Sequence, residues 1–298
     1  MAKPNFIELP FCEPIPILYE DRSVLAIDKP RGWLLVPVNW QNTNRNLQAA
    51  INSSISAGDW WAKSRNLKFL RYVHRLDTDT SGVMLFAKSM GAVEAFGDLF
   101  ESRQMEKNYL AIVEGVPRET EWTCRLPLAP DPRQIGRMII DTQEGKECET
   151  RFRLLQKKER ISLVEAHPLT GRTHQIRVHL AQSGCPIVSD ELYGKVDMRM
   201  QLGLRAIKLG YVDPFTHRRV EVRAPIDEFM SEYGFTPSLA QLAKKTVPAV
   251  TPPAGTPGLS KPPPHPPKSQ HRPLPPKAFP SPGPEHPAAK KPPFDRGR

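Results

Sequence analysis

The sequence has little of several things, and each scarcity excludes something. Four cysteines, Cys12, Cys124, Cys148 and Cys185, are spread over 298 residues with no C-x-x-C pair. A chain of this length does not need a disulfide framework, so the cysteines point to a reducing compartment. No apolar run approaches the ~18 residues of a membrane span. The opening "MAKPNFIELPFCEPIP" carries prolines and an acid where a secretory apolar core would have to lie. Neither G-x-x-x-x-G-K-[ST] nor G-x-G-x-x-G after a strand occurs, so a nucleotide cofactor lacks its usual cradle. There is no H-E-x-x-H, and His174 and His179 would stand ~140° apart around a helix, a poor arrangement for sharing a metal. The absences together predict a soluble, cytoplasmic chain with no cofactor, no metal and no membrane association.

What is abundant is basic charge and proline. Lys and Arg number 42 against 32 acids, and 18 of the 33 prolines fall between Thr246 and Arg298. That stretch carries eight Lys or Arg against Glu285 and Asp295, a net +6, which leaves +4 of the chain's +10 for residues 1–245. The reading is a folded domain over 1–245 and a disordered, solvated, basic Pro-rich tail over 246–298. A basic balance favours a polyanionic partner. Segments such as "PPPHPPKSQHRPLPP" also have the composition that SH3- or WW-like domains bind.

Short strands and helices mix without regular βαβ alternation. "ILYEDRSVLAIDKPRG" reads as two strands around Glu20-Asp21-Arg22, "RNLQAAINSSIS" as a short helix and "GVMLFAKS" as a strand. "SMGAVEAFGDLFESR" has apolar residues at helical spacing, with Ser89 as N-cap. "EKNYLAIVEGVP", "CETRFRLLQ" and "RISLVEAHP" read as strands, and "RTHQIRVHLAQSG" as a helix closed by Gly184. "LRAIKLGYVDP" and "RRVEVRAP" suggest a hairpin, followed by short helices up to Lys245. The pattern predicts an α+β fold with a mixed, mainly antiparallel sheet and flanking helices.

Two stretches carry candidate chemistry. In "YVHRLDTDTSGVMLFAKS" Asp77 lies between Arg75 and a polar turn, where it could cap the turn, pair with Arg75 or do chemistry. In "LTGRTHQIRVHLAQSG" Arg177 is flanked by Ile176 and Val178, so part of its stem should be buried. A buried guanidinium is costly unless it meets a carboxylate, and Asp77 is a suitable one. Gly171-Arg172-Thr173 at a helix start could bind an anion or be an ordinary cap with a solvated arginine. Tyr109 is a strand tyrosine, and His74 a histidine expected to satisfy a local hydrogen bond.

Together "LYEDRSVLAIDKPRG", "HRLDTDTSG", "EKNYLAIVEGVP" and "TGRTHQIRVHLAQSGCPI" resemble the RluA-type pseudouridine synthases, from about Ile17 to about Pro225. The resemblance implies a sheet with a central catalytic cleft, no cofactor, and isomerisation of specific uridines in tRNA or ribosomal RNA. It implies Asp77 as the catalytic aspartate and Tyr109 as the ring stacked on the target base, assisting loss of the C5 proton. Arg177 becomes the basic partner of Asp77. Arg75 and Arg172 become RNA contacts, the first near the flipped nucleotide and the second on phosphate. The chain departs from the family pattern at Leu204-Arg205-Ala206, at Asp213-Pro214 and at Ser189-Asp190, where the family often has Leu-His-Ala, His-Pro and Gly-Asp. About sixteen residues precede the first strand, so no N-terminal RNA-binding module is expected, and the basic tail would substitute as an electrostatic tether. The expected partner is RNA and the expected state a monomer. The alternative is a catalytically inactive RNA-binding protein of the same fold.

Overall fold

In the computed structural model, which describes residues 3–10, 12–35 and 45–236, the apolar runs meet in one eleven-stranded sheet. β1 (Phe6–Ile7), β2 (Ile15–Glu20) and β3 (Val24–Lys29) form an antiparallel run. Its second turn is set by Asp21, whose Oδ1 accepts from the backbone N–H groups of Ser23 at 2.7 Å and Val24 at 2.8 Å. α1 (Leu47–Ala57) is capped by Asn46 and ends at Gly58, and α2 (Trp60–Lys63) follows. Then come β4 (Arg71–Tyr72), β5 (Ser81–Ala87) and α3 (Met90–Glu101), whose N-cap Ser89 accepts from Ala92 N–H as the spacing predicts. β6 (Glu106–Glu114) and β7 (Glu121–Cys124) precede a separate small ladder of β8 (Leu128–Pro130) and β9 (Met138–Ile140). β10 (Thr150–Lys157), β11 (Ile161–Pro168), α4 (Gln175–Gln182), β12 (Leu204–Val212), β13 (Arg219–Arg223) and α5 (Asp227–Glu232) complete the described chain.

The strand order is β1-β2-β3-β5-β12-β6-β11-β10-β7, with β4 also on β5 and β13 on β12. Among the described ladders only β5 and β12 run parallel, at Ser81↔Arg205 and Gly82↔Ala206. This seam joins the N-terminal strands to the C-terminal ones. Gly82 makes it possible: its φ is 113°, and a Cβ there would collide with the backbone of Ala206. Glycine alone accepts both that dihedral and that approach.

Residue alternation divides the core between the two faces. Met84 and Phe86 of β5 pack with Leu47, Ile51 and Trp61 of α1 and α2, while Val83, Leu85 and Ala87 pack with Ala92 and Phe96 of α3. On β6, Ala111 and Val113 meet Ile176 and Leu180 of α4, whereas Leu110 and Ile112 meet Phe229 and Met230 of α5. The first face thus carries two separate clusters, and Tyr109 borders both. Its cross-strand neighbours are Ala166 and Ala206, two small side chains that leave the ring room beside the seam.

Two expectations need correction. The helix read as starting near Arg172 starts at Gln175, because His174 takes a left-handed conformation (φ 54°) that breaks the helical path. Strands β1, β4, β7, β8 and β9 were not anticipated, being two to four residues long and too short to register a period, and β1 puts the first strand at Phe6–Ile7 instead of after about sixteen residues. The short helices expected over 237–245 and the tail over 246–298 lie outside the described residues.

Candidate active site

Asp77 sits in the loop between β4 and β5, directly before the seam. Its backbone carbonyl accepts from Thr80 N–H at 3.2 Å, so it also serves the turn. Beneath the loop lies Lys29, fully buried at 0% exposure. Its Nζ reaches the carbonyl oxygens of Thr78 at 2.8 Å, Pro30 at 3.0 Å, Thr80 at 3.1 Å and Asp77 at 3.3 Å. One ammonium therefore gathers four carbonyls and sets the path of the Asp77 loop. Burial lowers the Lys29 pKa to about 8, and the charges of Asp79 and Asp77 partly offset that fall.

The Asp77 carboxylate faces α4. Oδ2 lies 3.4 Å from Arg177 Nη1, and Oδ1 lies 3.9 Å from His174 Nε2. The pairing of Asp77 with Arg177, inferred across a hundred residues of sequence, is present. It is the weaker of two such contacts. Arg177 Nε and Nη2 each donate to Asp190 at 2.8 Å, a bidentate pair with a carboxylate that is 0% exposed. Asp190 Oδ1 also accepts the N–H groups of Leu192 and Tyr193, and the guanidinium lies over the Tyr193 ring at 5.3 Å. Burial alone would pull the Arg177 pKa down; the bonds to Asp190 and the charges of Asp190 and Asp77 outweigh it and raise the value, so Arg177 is a fixed cation.

Two cavities meet at Asp77. One of about 390 Å³ is lined by Asp77, Phe100, Lys107, Tyr109 and Arg172. The other, of about 890 Å³, is lined by Asp77, Arg31, Arg45 and Arg199. Arg75, Thr173, His174 and Arg177 line both. Burial, then the nearby Asp77 charge, pushes the Tyr109 phenol pKa up, so the ring stays protonated. Arg75 is exposed and donates to Thr173 Oγ1 at 2.9 Å, not to Asp77, which removes the surface ion-pair reading of that aspartate. Arg172 is exposed too. Its backbone N–H is taken by Gln175 Oε1 at 2.9 Å and its Nε reaches Glu147 O at 3.3 Å, so Gly171-Arg172-Thr173 is a capping loop ahead of α4 rather than a helix start. Lys107 Nζ donates to Thr170 O at 2.8 Å, and burial, with Arg103 nearby, lowers its pKa to about 8.

His74 is structural, as the sequence suggested. Its Nε2 accepts from Leu85 N–H at 3.0 Å, its ring stacks on Phe100, and burial lowers its pKa to about 3. His179 bonds Thr150 Oγ1, Leu126 O and the Cys148 thiol, away from Asp77. Sequence reasoning missed Asp190, Lys29, His174 and Tyr193. A signal existed for the first: a guanidinium has five N–H donors, and one carboxylate at the cleft surface does not satisfy it. Lys29 and His174 lie within the family-like stretches "LYEDRSVLAIDKPRG" and "TGRTHQIRVHLAQSGCPI" without a local pattern that marks their contacts, and Tyr193 lies outside them.

A family model for RNA pseudouridylate synthase matches residues 23–182, which span Lys29, Asp77, Tyr109 and Arg177. Ribosomal large subunit pseudouridine synthase C of Yersinia pestis is 34% identical over 220 residues, covering 71% of this chain and 65% of that protein. Its counterpart in Escherichia coli (strain K12) is 34% identical over 223 residues, covering 71% and 66%. The chain thus spans slightly under two thirds of the length of these relatives. Among solved structures, human RNA Pseudouridylate Synthase Domain Containing 1 superposes with a TM-score of 0.60 at 27% identity, covering 76% of this chain and 92% of that one. The sequence match over most of the sheet, together with the shared fold, places this chain in the RNA pseudouridylate synthase family.

Proposed function

We propose that this protein is an RNA pseudouridine synthase in which Asp77 performs the catalytic step, with Arg177 and Tyr109 beside it. The observation that carries the reading is a carboxylate held by a guanidinium at the junction of two cavities, with an aromatic ring in one of them. Pseudouridine formation breaks the C1′–N1 bond of uridine, turns the detached uracil and joins C1′ to C5. N1 gains a proton and C5 loses one, so the reaction is an isomerisation that needs no external reactant. A carboxylate facing the Arg177 guanidinium suits attack on an electron-poor carbon or removal of a sugar proton. The cavity of about 390 Å³ is large enough for a flipped nucleoside. A phenol with a raised pKa is a poor base, so Tyr109 holds the uracil by stacking, and the C5 proton ends in water.

Arg75 and Arg172, both exposed at the cavity mouth, fit RNA contacts, the first beside the flipped nucleotide and the second on phosphate. The names of the relatives favour ribosomal over transfer RNA as substrate. The free cysteines suit a reducing compartment such as the cytoplasm. Residues 1–245 would be the catalytic domain and 246–298 a basic supplement to RNA binding.

The test is release of tritium from C5-labelled uridine in ribosomal RNA transcripts by the full chain and by Asp77→Asn. The parent is expected to release label, and Asp77→Asn to bind RNA as before without releasing it. Asparagine keeps the shape and removes the charge. A variant within tenfold of the parent, a change of only ~1.4 kcal/mol in barrier, would remove Asp77 from this role. A parent that binds RNA and releases nothing would make the chain a binding protein.

A further inference from the structure

His174 is the second group at the Asp77 carboxylate, and its ring is held from both sides. The residue occupies the left-handed region (φ 54°, ψ 17°), a costly choice for a side chain with a Cβ and one that places it outside α4. Its Nδ1 lies 2.9 Å from the Tyr193 hydroxyl, and the two rings meet edge to face. That hydroxyl already accepts the Met138 N–H at 2.8 Å, so its own hydrogen is free to go to Nδ1. At the opposite end Nε2 faces Asp77 Oδ1, and a bare lone pair there would oppose the carboxylate. Both ends of the ring select the same form, with Nδ1 accepting and Nε2 carrying the proton.

We propose that His174 is a positioning residue for Asp77 and that the Tyr193 hydroxyl sets its tautomer. The inference rests on the catalytic reading of Asp77 given above. Arg177 marks Oδ2 and His174 marks Oδ1, so the carboxylate has one defined orientation instead of two equivalent ones. At 3.9 Å the N–H is not yet bonded to Oδ1. A shift of ~1 Å as RNA fills the cleft brings it to hydrogen-bond distance. The charged groups around the ring are Asp77 and Asp190, which favour its protonation, and Arg177 and Arg75, which oppose it. Burial is the largest influence and lowers its pKa, so the imidazole is a neutral donor at neutral pH. Tyr193 also underlies the Arg177 guanidinium, so a single ring braces both partners of Asp77.

The test combines ring NMR with kinetics on the full chain. Nitrogen shifts of His174 should report the Nε2–H tautomer, a preference weakened in Tyr193→Phe, where Asp77 alone still selects it. In Asp77→Asn the His174 pKa should fall, because a neighbouring anion is gone. His174→Phe should lower kcat roughly tenfold with KM for RNA unchanged, the loss of one hydrogen bond in the transition state. His174→Gln, which keeps an N–H near the Nε2 position, should restore most of it. An Nδ1–H tautomer in the parent overturns the proposal, as does a His174 pKa indifferent to Asp77→Asn or a His174→Phe with parental kcat. If His174→Gln is as impaired as His174→Phe, the ring serves packing alone and the proposal also fails. A parent inactive on RNA would defeat the catalytic reading, while the two NMR measurements would still decide the coupling of His174 to Asp77.

Discussion

Arg177 and Asp190 are joined by two parallel hydrogen bonds of 2.8 Å, whereas Asp77 is only 3.4 Å from the same guanidinium. The buried carboxylate of Asp190 and the proposed catalytic one of Asp77 therefore share one cation. Arg177→Ala would strand Asp190 in a dry site, so the expected loss of stability is ~3–5 kcal/mol, mostly through Asp190 and not Asp77. Asp77→Asn should cost under ~1 kcal/mol, since its side chain is 20% exposed. Urea unfolding of Arg177→Ala, Asp190→Ala and the double variant should give a coupling of ~1–3 kcal/mol. Additive losses would mean the pair does not act as a unit.

The Lys29 cage predicts a pH effect on turnover separate from stability. With a folded pKa lowered from 10.5 to about 8, Lys29 loses its proton in the native protein while the unfolded chain still holds one. Between those values the cost of a buried charge is relieved, so this group's contribution to global stability rises with pH. The neutral amine, however, has fewer donors for the four carbonyls, and the Asp77 loop should loosen. Turnover is expected to fall as pH passes about 8 without a matching fall in melting temperature. Lys107 titrates in the same range, so the break should persist in Lys107→Gln and vanish with most of the activity in Lys29→Met. A break that follows Lys107 would assign it there.

His74 predicts sensitivity to acid. Its folded pKa of about 3 lies below the ordinary 6.5, so the unfolded chain takes up a proton that the native chain refuses. Stability is full above pH 6.5 and is lost as pH falls from there toward 3, by a few kcal/mol in all. His74→Phe keeps a ring against Phe100 but leaves the Leu85 N–H unpaired. It should be ~1–3 kcal/mol less stable at pH 7, and its stability should decline less between pH 6.5 and 4. Parallel declines in unfolding measured across that range would rule out His74 as the source.

Deleting Thr246–Arg298 removes a net +6 and no residue assigned to the site. Turnover at saturating RNA should be unchanged, affinity lower, and the salt dependence of binding shallower by ~0.7–0.9 for each lysine or arginine that had engaged a phosphate. Binding across a salt series decides it. Parallel slopes would mean this segment does not touch RNA, and the reading of its prolines as a docking motif for SH3- or WW-like domains would gain.

Much of the fold was legible along the chain because its signals are local. Ser89 capping α3, Asp21 folding the β2–β3 turn and the alternation in β5 and β6 each depend on a few neighbouring residues. Burial of Arg177 followed from its apolar flanks, and a buried cation needs an anion wherever the chain brings one. Chemistry could say that a carboxylate must meet Arg177, and Asp77 does. It could not say that Asp190 meets it more closely.

The sequence by itself determined the longer strands, the Ser89 cap, the α+β class, and the residue types able to do chemistry at Asp77, Tyr109 and Arg177. Only the tertiary structure decided that Lys29 lies under the Asp77 loop, that Gly82 must be bare where two strands run parallel, and that Tyr193 bridges His174 and Arg177. The reason is one of range. A helical or strand period, a cap or a turn is a property of a short segment, and its energy is settled there. A lysine that shares its ammonium between the neighbouring Pro30 carbonyl and three more some fifty residues on has no period to mark it, and its cost and gain exist only once the sheet has closed around it.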